Sequence, residues 1–248
     1  MTIPFDLSYA ALIWMAITVL GAAYIRGYSG FGFSALVVSA STLVTNPLNL
    51  VPVVMLMEIL ATAGQAPAAW RDADKRLLAL LLGGAIISMP VAIMFLSSID
   101  TDLLRLIISV WILVMCAALL SGWSLKAKVG NGGTAGVGVV SGLANAAAVG
   151  GLPVALFLTA QNLPARVFRA TLIFYLCAID IVALPMLGYA GVVNSGTFVA
   201  AAICAPLLAL GVWLGGRRFI TAAPENFRRM AISLLALLAV LGLAKSLV

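Results

Sequence analysis

Apolar residues in this chain run on without a polar face. The stretch "LLALLLGGAIISMPVAIMFL" (77–96) is apolar on every side. A half-buried strand or a surface helix would alternate or stripe instead. A spanning helix needs about 20 such residues. Runs of that kind predict spans over 8–26, 50–68, 77–96, 103–123, 168–187, 197–214 and 230–247. Three shorter apolar pieces lie between them, at 31–44, 134–149 and 152–161. A 14-residue helix covers only about 21 Å, short of a hydrocarbon core about 30 Å thick. Pro90, Pro185 and Pro206 fall inside spans, where they predict kinks. Pro52 and Pro67 are expected at or near connections.

The order of elements repeats. Each half reads short piece, glycine-rich break, short piece, polar connection and three spans. The breaks fall at 27–32 ("GYSGFG") and 142–151 ("GLANAAAVGG"), and the connections read "NPLNLVP" and "NLPARVFR". Interruptions at matching places in two halves point to a binding site built from broken helices. The expected fold is therefore all-α: a polytopic transmembrane bundle of two inverted repeats, each a broken-helix hairpin plus three spanning helices. The halves are 1–125 and 126–248, within one integral membrane domain.

Composition agrees with this class. Of the 248 residues, 64% are hydrophobic and 9% charged, against about 25% charged in a soluble domain. Mean hydropathy is +1.18. A membrane β-barrel is excluded, since its strands alternate polar and apolar residues. The net charge of +6 resides in short connections, so it reads as a topology signal and not as a nucleic-acid surface. The N-terminus has no basic segment of the signal-peptide kind. The chain has no His and three isolated cysteines, Cys116, Cys177 and Cys204. These read as packing residues, and no metal site or cofactor is expected.

Charge also sets orientation. Arg71, Lys75, Arg76, Lys126, Lys128, Arg166, Arg169, Arg217, Arg218, Arg228 and Arg229 cluster in one set of connections, while 97–102 and 188–195 carry no basic residue. Placing the basic set inside requires the pieces at 134–149 and 152–161 to form a hairpin that returns to the inside. Both termini then lie outside. The tips 26–32 and 145–151 enter from opposite faces and could meet near mid-membrane.

A few polar residues stand out against this background. Arg26 is a charge at bilayer depth, which usually faces a cavity or a partner. It reads either as an anion-binding group or as an arginine reaching the inner face. The adjacent glycines Gly30 and Gly32 let backbone N–H groups approach a ligand. The helix starts near Phe31 and after Gly150 and Gly151 would add partial positive charge. Asn145 and Tyr175 could donate hydrogen bonds to an oxyanion, or could bridge helices. Arg169 reads as a loop anchor or as an anion gate. Glu58 and Asp180 are carboxylates inside equivalent spans. They are candidates for proton coupling, or for internal pairing with an arginine or the backbone. Gly138 and Gly142, four residues apart in "GGTAGVGVVSG", predict close helix packing and not a dinucleotide loop.

"RGYSGFGFSALVV" followed by "NPLNLVPVVMLMEILA" resembles the first half-repeat of the TauE/SafE family of membrane anion exporters. "SGLANAAAVGGLPVALFLTAQNLPARVFRATLIFYL" resembles the second, and with segment order counted the likeness covers nearly the whole chain. It places the family's motifs on Arg26, Gly27, Gly30 and Gly32, on Glu58, on Gly150, Gly151 and Pro153, and on Arg169, Ala170 and Thr171. Ala146 and Leu152 depart from it, where many members carry a glycine or a second proline. The resemblance implies a secondary transporter in the bacterial inner membrane, exporting sulfite, sulfoacetate or similar organosulfonates. The implied partners are a small anion and membrane lipid, with no nucleic acid, and a homodimer is allowed for. An anion channel, or a carrier of another small anion, is the alternative. An intramembrane enzyme fits poorly, since no nucleophile with a base is evident.

Overall fold

The computed structural model describes residues 5, 7–96, 98–122, 124–125, 129–219, 232, 236, 239–240 and 243–244. These residues form helices and no strand. The helices are α1 (Tyr9–Ser29), α2 (Phe33–Ser41), α3 (Pro47–Ala69), α4 (Lys75–Leu96), α5 (Thr101–Leu120), α6 (Asn131–Asn145), α7 (Gly151–Ala160), α8 (Ala165–Tyr189) and α9 (Ser195–Phe219). Among the described residues, six helices are long and apolar enough to cross a membrane: α1, α3, α4, α5, α8 and α9. The seventh expected span, 230–247, falls largely outside the described residues.

Local chemistry sets the helix starts. Ser8, Asn46 and Asp100 cap α1, α3 and α5 by accepting hydrogen bonds from free first-turn N–H groups. Pro47 opens α3, where its missing N–H costs nothing. Pro52 and Pro67 lie inside α3 and not in connections, which corrects the sequence expectation. A helix buried among membrane neighbours survives the loss of one backbone bond, because no water competes for the rest.

Glycine brings the helices together in two pairs. In the first, α1 runs parallel to α9: a Cβ on Gly211 would meet Ala23 and the Leu20 carbonyl, and one on Gly215 would sit 2.0 Å from the Tyr24 carbonyl oxygen. In the second, α4 runs parallel to α6: a Cβ on Gly138 would lie 2.2 Å from the Leu81 carbonyl oxygen, and one on Gly142 would lie 2.4 Å from that of Ala85. This is the close packing that "GGTAGVGVVSG" predicts, in which dispersion replaces the absent hydrophobic drive. Between these pairs stand α3 and α8. They are antiparallel, with Trp70 stacked edge-on to Phe174 at one end. The short helices α2 and α7 are enclosed by the rest: every residue of α2 is buried, as are eight of the ten in α7. The outward residues Ile87, Met94 and Phe95 of α4 are 67–76% exposed, as a lipid-facing helix requires.

Candidate functional site

Two broken hairpins meet at the centre of the fold. The first turns between α1 and α2. Gly30 (φ 83°) and Gly32 (φ 92°) take left-handed conformations there, which a Cβ would strain. The Ser29 hydroxyl donates to the Phe31 carbonyl at 2.9 Å and fixes the turn. The second turns between α6 and α7. Here Ala148 holds the left-handed position, with φ 56°. The Ser141 hydroxyl donates to the Gly150 carbonyl at 2.6 Å, and the Tyr175 hydroxyl donates to Ser141 Oγ at 2.6 Å.

The starts of α2 and α7 face a shared crevice. Phe31, Gly32, Ser34 and Ala35 line it from the first tip; Val149, Gly151, Leu152 and Leu176 line it from the second tip and α8. It is too tight to admit a water molecule. The first N–H groups of each short helix have no acceptor within their own helix, so two positive helix ends converge on one closed space. Phe31 also packs edge-to-face on Phe168, with centroids 6.0 Å apart.

Arg26 is behind the tip and not in the crevice. Its side chain is fully buried. Nε is 2.8 Å from Glu58 Oε2, Nη2 donates to Thr62 Oγ1 at 3.1 Å, and Nη1 donates to the Gly30 carbonyl. Thr62 in turn donates to the Glu58 carbonyl at 2.9 Å. The guanidinium thus clips the C-terminal turn of α1 to α3, where a cation also suits the helix end. Glu58 lies at the midpoint of α3, about 16 Å from either end.

The second half carries a comparable contact. Asn145, last in α6, donates from Nδ2 to Asp180 Oδ1 of α8 at 3.1 Å. Arg26, Glu58 and Asp180 lie within Coulombic reach of one another. A Cβ on Gly150 would come within 2.7 Å of Asn145 Cβ, so the second tip rests on Asn145. Arg169 of α8 donates to the Gly27 carbonyl at 2.7 Å, and its stem covers Gly30.

Of the residues singled out in the sequence, Phe31, Gly32 and Gly151 line the crevice. Arg26, Gly30, Asn145, Gly150 and Tyr175 support the tips from behind, and Arg169 braces the first tip. Sequence reasoning missed Ser34, Thr62 and Ser141. For Ser34 and Ser141 the available signal was a hydroxyl residue inside an apolar helix, close to a glycine break; for Thr62 it was a hydroxyl one turn after the buried Glu58.

Arg169 also lines an open cavity of about 710 Å³ between α3 and α9, with Gln65, Trp213, Gly216 and Arg217. The Arg217 guanidinium stacks 3.7 Å above the Trp213 ring. An apolar cavity of about 420 Å³ lies toward the other ends of α3 and α9. Among the described residues no group of His, Cys, Asp and Glu could hold a metal ion.

The model of the sulfite exporter TauE/SafE family matches residues 15–242, which includes both tips, most of α1 and all of α2 to α9. The chain belongs to the TauE/SafE family. Comparison with curated proteins and with solved structures found no match. Membership makes this an integral membrane protein of a sulfur-anion exporter family, and the closed crevice between tips is the feature to be explained in those terms.

Proposed function

We propose that the chain is a secondary carrier that exports sulfite, sulfoacetate or a similar C2 organosulfonate from the bacterial cytoplasm across the inner membrane. The observation that carries this reading is the meeting of two helix N-termini, those of α2 and α7, at one narrow crevice. The three oxygens of a sulfite or sulfonate group can accept hydrogen bonds from N–H groups on both sides at once. Gly32 and Gly151 leave the backbone open to it. In this reading Arg26 serves the anion indirectly, by holding the first tip in place.

The halves 1–125 and 126–248 are read as inverted repeats. The helix pairs support this. The α3–α8 pair is antiparallel, α1 runs with α9 and α4 runs with α6. Short connections reverse the chain between successive spans, so α1 and α6 enter in opposite senses. With the basic connections inside, the 710 Å³ cavity bearing Arg169, Gln65 and Arg217 opens toward the cytoplasm. It would gather anions below the first tip. Rocking of one half against the other would then open the crevice to each side in turn. Carried alone, a monoanion is driven outward by the membrane potential, by about 2.3 kcal/mol per 100 mV; carried together with a proton it moves without net charge and the potential does no work on it. A crevice closed to water favours a carrier over an open pore.

The test is anion flux in proteoliposomes with a panel of sulfite, sulfoacetate, taurine and sulfate. Saturable movement of sulfite or sulfoacetate is expected. If none of the four moves, the sulfur-anion reading is wrong.

A further inference from the structure

We propose that Asp180 is the group that takes up and releases a proton during transport, while Glu58 stays ionised as the counter-charge of Arg26. This rests on reading the chain as an anion carrier, and it separates two carboxylates that the sequence alone leaves equivalent.

The two halves place a side chain from the end of the first hairpin arm against a carboxylate inside the next long helix. In the first half the pair is Arg26 and Glu58, at 2.8 Å; in the second it is Asn145 and Asp180, at 3.1 Å. The geometry matches and the charge does not. A guanidinium cancels Glu58, whereas an amide gives Asp180 a hydrogen bond and no charge. Asp180 is 3% exposed and Glu58 and Arg26 are fully buried. With both carboxylates ionised the cluster carries one net negative charge in a dry interior. One proton brings it to zero. Glu58 Oε1 is also buried without a hydrogen-bond partner.

Among the described residues, no cation besides Arg26 acts on Asp180; Arg169, about three turns earlier on α8, lies within Coulombic reach of Arg26 and is engaged with the first tip. The only charged residue of α3 is Glu58, and the charges of α4 are Lys75 and Arg76, in its first turn. Neither α6 nor α7 has a charged residue. On α8 itself the nearby titratable groups are Tyr175, which is bonded to Ser141, and Cys177. From α1, the group that faces the cluster is Arg26.

Asp180 also stands where a proton would matter. Leu176 lines the crevice, and Asp180 is one helical turn further along the same face. Asn145, its partner, supports the second tip. A carboxylate there repels an incoming anion, and a carboxylic acid does not. The step is simple protonation: one proton from the aqueous side binds a carboxylate oxygen, and no other bond changes. Proton and anion therefore bind together.

Two measurements test this. Infrared difference spectra between acid and alkaline pH, on the reconstituted protein without anion, should show the carbonyl stretch of one buried carboxylic acid. Asp180→Asn should abolish that band, Asp180→Glu should shift it, and Glu58→Gln should leave a band. Persistence of the wild-type band in Asp180→Asn would overturn the proposal. In flux assays with a sulfonate whose own charge is constant, apparent affinity should fall by about tenfold per pH unit above the titration. Asp180→Asn should flatten that profile, and a wild-type profile in this variant would also overturn the proposal. Should Asp180→Asn not fold, Asp180→Glu must move both the band and the profile midpoint. The spectra need no substrate, so a failed carrier reading and a failed proton site give different results.

Discussion

Removing Arg26 should cost more than any surface contact could, and restoring charge balance should return most of the loss. The guanidinium engages Glu58, Thr62 and the Gly30 carbonyl, and no part of it reaches solvent. Arg26→Met leaves Glu58 charged and alone in the interior, which costs about 3–5 kcal/mol. Glu58→Met strands the guanidinium and should cost a similar amount. The double variant Arg26→Met/Glu58→Met removes both charges. It loses chiefly the partner of the Gly30 carbonyl, a hydrogen bond of about 1–2 kcal/mol. The coupling energy of the pair should then exceed about 3 kcal/mol. Reversible unfolding in mixed micelles with increasing sodium dodecyl sulfate, followed by tryptophan fluorescence, measures all four proteins. Single variants within about 1 kcal/mol of wild type, or a double variant as unstable as the sum of the singles, would refute the buried ion pair.

Neighbouring glycines provide a sharper packing test. A Cβ on Gly84 would lie 2.0 Å from the Ala135 carbonyl oxygen, while one on Gly83 meets nothing within 4 Å. Gly84→Ala should therefore destabilise the α4–α6 pair by about 1–3 kcal/mol, and Gly83→Ala should be neutral or stabilising by up to about 1 kcal/mol, both read from the same unfolding curves. Tyr175→Phe should lose about 1 kcal/mol through the Ser141 bond. It should also slow transport more than it shifts apparent affinity, because it loosens the second tip. Arg217→Gln should do the reverse in flux assays, raising KM several-fold with little change in kcat, since Arg217 lines the 710 Å³ cavity and not the tips.

The spans were legible because a membrane demands long apolar runs, and the seven-span reading is matched by six helices among the described residues. The breaks after α1 and α6 were legible from glycine. Pro52 and Pro67 misled, since the sequence marks where a backbone bond is lost but not whether neighbours tolerate the loss. Arg26 and Glu58 were each visible as anomalies. Pairing of a carboxylate with an arginine was one of the two readings, but which carboxylate pairs was not legible, because the contact joins residues 32 positions apart across a helix interface. The same holds for Asn145 with Asp180, 35 positions apart. Ala148 was invisible as well: an alanine gives no sign of a left-handed turn, which only its surroundings impose.

A carrier of the proposed kind passes one anion at a time between its two opposed tips. Counterflow tests it most directly. Proteoliposomes loaded with unlabelled sulfite or sulfoacetate should take up the labelled anion faster than empty ones, with a transient overshoot. Uptake that ignores the trans anion would mean a pore in place of a carrier, and no uptake at all would contradict the account.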